Sequence, residues 1–192
     1  MLRSLVHQCR LGWMVALLAG LLLVSGCPWE QSSTKMAALG RITGALASGT
    51  ERPVVGARAP NFQFQDADGQ LKLLSDLRGK PVLINFWASW CWPCRQEMPF
   101  IQQIHEEWAE KGLVVLTVNL GESPSTVEHF LQRYGFSFPV LLDTKRVTST
   151  RYNIRGIPTT FFIDRDGIIQ ERVIGAFATK QGLEARLKSI IP

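Results

Sequence analysis

The stretch KPVLINFWASWCWPCRQEMP, Lys80 to Pro99, constrains the fold more than any other part of the chain. Lys80 to Trp87 is a continuous apolar run rich in β-formers, as expected of a strand buried on both faces. After Cys94, Ile101, Ile104 and Trp108 recur at spacings of three and four, which predicts a helix with one apolar stripe that stops near Gly112. Cys91 and Cys94 therefore sit at a strand-to-helix turn. Pro93 suits the first helical turn, where a missing N–H costs nothing, whereas Pro99 should kink the helix further in.

The remaining cysteines narrow what this pair can be. Cys9 and Cys27 lie in an N-terminal segment unlike the rest: Arg3 and Arg10 with no acid, an apolar run from Leu11 to Gly26, and small residues before Cys27. That is the layout of an export signal, and VSGC is similar to the bacterial lipobox, in which the cysteine becomes a lipidated N-terminus. The run falls short of the roughly 20 residues that span a bilayer, which favours a cleaved lipoprotein signal over residues 1–26, with Cys27 as the lipid-attachment site, over a retained helix. Either form tethers the domain to a membrane outside the cytoplasm. Residues 27–55, with Ser, Thr and Gly punctuation and no sustained periodicity, read as the lipid-attachment cysteine and a flexible spacer in which MAALGRITGALA could form a weak helix. Residues 56–192 have the composition of one packed domain.

Cys91 and Cys94 are then the only thiols of the mature domain. A structural zinc site needs four ligands, and the other soft ligands, His105 and His129, show no metal-type spacing. A disulfide across two residues closes too short a loop to restrain the unfolded chain. Redox chemistry is left. Cys91, at the helix start, faces unpaired N–H groups and the positive end of the helix dipole, which favour its thiolate and make it the nucleophile. Cys94, one turn inside, is the shielded resolving thiol. Trp90 and Trp92 flank the nucleophile as candidate substrate contacts. Glu97 belongs to the apolar stripe: a desolvated carboxyl there has a raised pKa and suits proton exchange with Cys94, or it simply complements the helix dipole.

Downstream, residues 112–120 read as a strand, Ser123 and Pro124 start a helix that Gly135 ends, and residues 138–142 form a short strand. A strand over 159–163, a turn at Asp166–Gly167, a strand over 168–174 and a C-terminal helix complete a mixed sheet covered on both faces. The composition, 46% hydrophobic and 19% charged, is that of a globular protein. The formal charge of +5 comes from scattered basic residues without a run, which argues against nucleic acid as a partner.

WCWPC, GIPTTFFIDRDG and the opening VGARAPNFQFQDADGQLKLLSDLRGK, in this order, resemble the membrane-anchored thioredoxin-like thiol–disulfide oxidoreductases of the TlpA and ResA type, within the redoxin family. The resemblance implies an α/β thioredoxin fold: a mixed central sheet flanked by helices, with an N-terminal β-hairpin extension and an inserted helix–strand segment. It implies a cis Pro158 against the thiols, with the Ile157 backbone pairing with an extended substrate segment. Thioredoxin has a buried Asp where this chain has Asn85, so the resemblance makes Glu97 a candidate replacement proton acceptor, and Asn85 reads as a satisfied buried amide. Glu122 matches an acidic position of the ResA-like proteins and joins the substrate-binding candidates, with a solvated loop acid as the alternative.

The expected function is an extracytoplasmic protein-disulfide reductase that needs no cofactor or metal. Its partners would be proteins with CxxC-type disulfides, such as apocytochrome c, and an integral membrane electron donor. A peroxiredoxin-like peroxidase and a copper-site assembly factor are the alternatives.

Overall fold

The computed structural model describes residues 39–45 and 51–191. The expected signal, Cys27 and most of the expected spacer lie outside these residues. Among the described residues no helix is long and apolar enough to cross a membrane.

Among the described residues, eight strands form one sheet: β1 (Leu39–Ala45), β2 (Phe62–Gln65), β3 (Leu71–Leu73), β4 (Val82–Trp87), β5 (Val114–Leu120), β6 (Val140–Asp143), β7 (Thr159–Ile163) and β8 (Ile169–Ile174), in the spatial order β3-β2-β1-β6-β5-β4-β7-β8. The sheet is mixed. β1, β6, β5 and β4 run parallel, while β7 and β8 close one side and β2 and β3 the other in antiparallel pairings. Among the described residues, four α-helices, α1 (Trp92–Trp108), α2 (Pro124–Tyr134), α3 (Val147–Arg151) and α4 (Lys180–Leu187), and a 3-10 turn at Leu74–Leu77 accompany the sheet.

β4 is an interior strand, paired with β5 on one side and β7 on the other, and every one of its residues is buried. Its alternation sends Leu83, Asn85 and Trp87 to one face and Val82, Ile84 and Phe86 to the other. On the first face Leu83 and Trp87 join Met98, Ile101 and Ile104 of α1, Val127 and Leu131 of α2, and Leu183 and Leu187 of α4 in one apolar cluster. On the second, Ile84 and Phe86 pack with Phe62, Leu116, Phe161 and Tyr152, whose hydroxyl donates to the Pro60 carbonyl at 2.8 Å. α2 is built as its ends predict: the Ser123 hydroxyl accepts from the Thr126 N–H at 3.2 Å, and Gly135 ends the helix at φ 70°. α1 runs through Pro99, an exposed position, and ends at Trp108, four residues before Gly112.

One difference from the sequence reading concerns a local signal. LGRITGA, read as part of a spacer with weak helical tendency, is strand β1, inserted between β2 and β6. Its pairing residues lie far along the chain, Leu39 opposite Val140 and Arg41 opposite Gln65, so nothing within the segment announces the strand. The short helix α3 is held by Asp143, whose carboxylate accepts from the Thr148 and Ser149 N–H groups at 3.3 and 2.7 Å.

Gly40 shows how tightly β1 is seated. A Cβ there would lie 2.4 Å from the Gln65 carbonyl oxygen and 2.8 Å from Leu141, while one at Gly44 would meet nothing within 4 Å. Gly40→Ala is therefore expected to lower stability by roughly 1–3 kcal/mol, and Gly44→Ala by no more than about 0.5 kcal/mol, in urea unfolding of the full chain. Equal effects would mean that β1 does not hold this place in the sheet.

Candidate active site

β4 delivers the chain to the start of α1. Cys91 is the N-cap residue of α1, in extended backbone conformation (φ −77°, ψ 106°), and its Sγ accepts the Cys94 N–H at 3.2 Å. Pro93 occupies the first turn. The two cysteines are joined as a disulfide with Cα atoms 5.3 Å apart. Cys91 is 5% exposed and Cys94 is fully buried, while Trp90 and Trp92 on either side of Cys91 are 65% and 66% exposed. The peptide bond between Ile157 and Pro158 is cis, as the resemblance implied. The Ile157 carbonyl oxygen lies 3.7 Å from Cys91 Sγ and Pro158 is buried. The opening sulfur thus lies between a helix N-terminus and a loop carbonyl, with a wide aromatic margin facing solvent.

Glu97, one turn after Cys94 on α1, is completely buried. Oε1 accepts from Asn85 Nδ2 at 2.8 Å, and Oε2 from the Phe177 backbone N–H at 3.0 Å. Burial raises its pKa from 4.5 to about 7, against the lowering effect of those two donors. This is the desolvated carboxyl that the apolar stripe predicted.

Asn85 and Glu122 behave differently from their sequence readings. Asn85 is not fully satisfied: Nδ2 also donates to Thr160 Oγ1 at 3.0 Å, but Oδ1 is buried with no partner. Glu122 is neither a solvated loop acid nor turned toward the exposed face. Its half-buried carboxylate accepts from the Ser89 N–H at 2.7 Å, from the Ser89 hydroxyl and from Asn119 Nδ2 at 2.6 Å, tying the end of β5 to the loop that carries Trp90 and Cys91. Ser89, Asn119, Thr160 and the Phe177 backbone were not singled out in the sequence. Period-two alternation in β4 would have put Asn85 on the α1 face, but its partner depends on the register of Asn85 opposite Thr160, and that of Glu97 on a loop 80 residues further along.

The sequence pattern of the AhpC/TSA family matches residues 55–172. The thiol–disulfide oxidoreductase ResA of Geobacillus kaustophilus is 40% identical over 138 residues, covering 72% of this chain and 79% of that protein. The chain belongs to the AhpC/TSA family, as a ResA-type thiol–disulfide oxidoreductase. Among solved structures, a thiol:disulfide interchange protein of the thioredoxin family from Chlorobium tepidum is similar at TM-score 0.63 and 27% identity, over 77% of this chain and all of that one. The pneumococcal exposed lipoprotein thioredoxin Etrx1 from Streptococcus pneumoniae is similar at TM-score 0.58 and 31% identity, over 67% and 98%. The fold these relatives share is the thioredoxin fold expected from the sequence.

For this ResA-type enzyme the buried carboxyl carries a pH signature. The unfolded Glu97 loses its proton near 4.5 and the folded one near 7, so in that window the folded state holds more protons than the unfolded. Stability contributed by the protonated form is complete below the window and falls as pH rises through it. The full loss is about 3 kcal/mol. Glu97→Gln should abolish that fall, so urea unfolding of oxidised wild type and variant across the window should diverge with rising pH. Parallel curves would contradict the burial of an ionisable Glu97.

Proposed function

We propose that this oxidoreductase works as a reductase outside the cytoplasm, acting on CxxC-type disulfides of partner proteins such as apocytochrome c. The observation that carries this reading is Cys91 Sγ capping α1 with the Cys94 N–H at 3.2 Å, an arrangement that stabilises negative charge on that sulfur. The match to ResA, a thiol–disulfide oxidoreductase, supports thiol–disulfide exchange at this pair.

In the forward cycle the Cys91 thiolate attacks one sulfur of the partner disulfide. A Cys91–partner S–S bond forms, and the other partner sulfur leaves as a thiolate that takes a proton. The Cys94 thiol then gives its proton to ionised Glu97 and attacks Cys91 Sγ, forming the Cys91–Cys94 bond and expelling the second partner sulfur as a thiolate, which takes a proton. Two electrons pass to the partner. An integral membrane donor, itself a dithiol, returns them by the reverse exchange, since an oxidising compartment does not supply reductant.

Trp90 and Trp92 offer the partner exposed apolar surface beside the sulfur, and the Ile157 carbonyl is available to pair with an extended partner strand next to Pro158. Glu122 acts in this scheme through Ser89, holding the loop rather than touching the partner. The tether is a lipid on Cys27 after removal of residues 1–26, a reading supported by the VSGC stretch and by similarity to an exposed lipoprotein thioredoxin.

Cys91→Ser is expected to lower the turnover of a CxxC-disulfide peptide at least about 10³-fold. Cys94→Ser should instead accumulate a covalent Cys91–peptide adduct that dithiothreitol releases, readable by intact mass. Adduct formation through Cys94 in the Cys91→Ser protein, or peroxide turnover matching peptide reduction in the wild type, would overturn this reading.

A further inference from the structure

Asn85 is the unexplained group at this site. Its side chain is fully buried between β4's neighbours, yet Nδ2 makes two hydrogen bonds while Oδ1, 0% exposed with the rest of the residue, makes none. Leaving a buried acceptor unmade costs free energy, so one such atom in direct contact with a titrating carboxyl calls for a reason.

The partners of Asn85 supply one. Thr160 Oγ1 accepts from Nδ2 here, but a hydroxyl donates as readily as it accepts. Glu97 Oε1 accepts from Nδ2 as a carboxylate, and once protonated it becomes a donor. Oε2 stays an acceptor in both states because the Phe177 N–H points at it, which puts the proton on Oε1, the oxygen facing Asn85. A half-turn of the Asn85 amide exchanges Nδ2 and Oδ1. Oδ1 then receives the Glu97 O–H and the Thr160 O–H, and the number of satisfied contacts is unchanged.

We propose that Asn85 is a two-position amide that follows the proton of Glu97, presenting Nδ2 to the carboxylate and Oδ1 to the carboxylic acid. It is a positioning residue, acting through Glu97, and it deepens the reading of Glu97 as the proton carrier for Cys94. Asp at this position would place a second carboxyl against the first, and an apolar residue would leave Oε1 without a partner in either state. An amide can serve both forms without adding charge. Among the described residues, the hydrogen bonds that Glu97 accepts come from neutral groups. From α1 the titratable neighbours are the thiols of Cys94 and Cys91 in the reduced protein, and Arg95 is exposed and donates to Tyr134 at 2.8 Å. From β4 and β7 the groups are the neutral Asn85 and Thr160. The segment before α4 contributes the Phe177 backbone, and Lys180 on α4 pairs with Glu107 and Glu184.

The test is a pH titration of the full chain in detergent micelles, oxidised so that neither thiol titrates, followed by the Glu97 carboxyl ¹³C and Asn85 side-chain amide resonances. The Asn85 amide should move with the same midpoint as Glu97, near 7, and its proton contacts to Thr160 should weaken on the acid side. Asn85→Leu should raise the Glu97 midpoint by about one pH unit, tenfold in the proton equilibrium, since a donor to a carboxylate is worth more than an acceptor to a neutral acid. Thr160→Val should break the shared midpoint and Thr160→Ser restore it. A titrating Glu97 beside an Asn85 amide that does not move would overturn this inference and leave the reductase reading intact. A Glu97 that does not titrate would overturn both the inference and its role as proton carrier, while the Cys91 adduct would still report on the dithiol.

Discussion

A helix whose N-cap is a cysteine must hold that sulfur where the N–H groups of its first turn converge. In this chain the Cys94 N–H reaches Cys91 Sγ, and the sulfur is fixed by β4, a strand buried along its whole length. The rest of the site supports that placement. Trp87 anchors the end of β4 in the core, Glu122 fixes Ser89 in the intervening loop, and the Ile157 carbonyl meets the sulfur from the other side. With the sulfur held from these directions, reaction geometry is set before any partner arrives, which reduces the ordering cost of each exchange.

In the proposed cycle the two sulfurs and Glu97 divide the chemistry by depth. Cys91 lies at the boundary between the core and the exposed tryptophans, while Cys94 and Glu97 lie wholly inside. Charge is favoured at the outer position by the helix N-terminus and disfavoured at the inner ones by burial. The proposed proton transfer from Cys94 to Glu97 requires the carboxyl to be accommodated in both its forms. A neutral amide beside it, rather than a second acid, meets that requirement.

Much of this was legible in the sequence, and the residues that were not have a common cause. The apolar run of β4, the stripe of α1, the Ser123 and Gly135 ends of α2 and the hairpin at Gly167 are local patterns, and each appeared within a residue or two of its expected place, apart from the earlier end of α1. Glu97 could be placed inside because it sits on the apolar stripe. β1 was misread because its two glycines and short apolar residues give no local signal, and only pairing with β2 and β6 makes them a strand. Glu122 and Asn85 were visible as residues, but their hydrogen bonds to Ser89, Glu97 and Thr160 span up to 75 positions, so what they do emerges from register and loop closure. The resemblance supplied the cis bond before Pro158, which no local pattern gives.

The central claim is that ionisation is unequal between Cys91 and Cys94. Its most direct test is the pH dependence of alkylation of the reduced full chain, with each cysteine resolved by mass. The account predicts that Cys91 reacts first and titrates below the ordinary thiol value of about 8.5, while Cys94 stays protected to higher pH. Two thiols alkylated at equal rates, both with midpoints at or above that value, would contradict it.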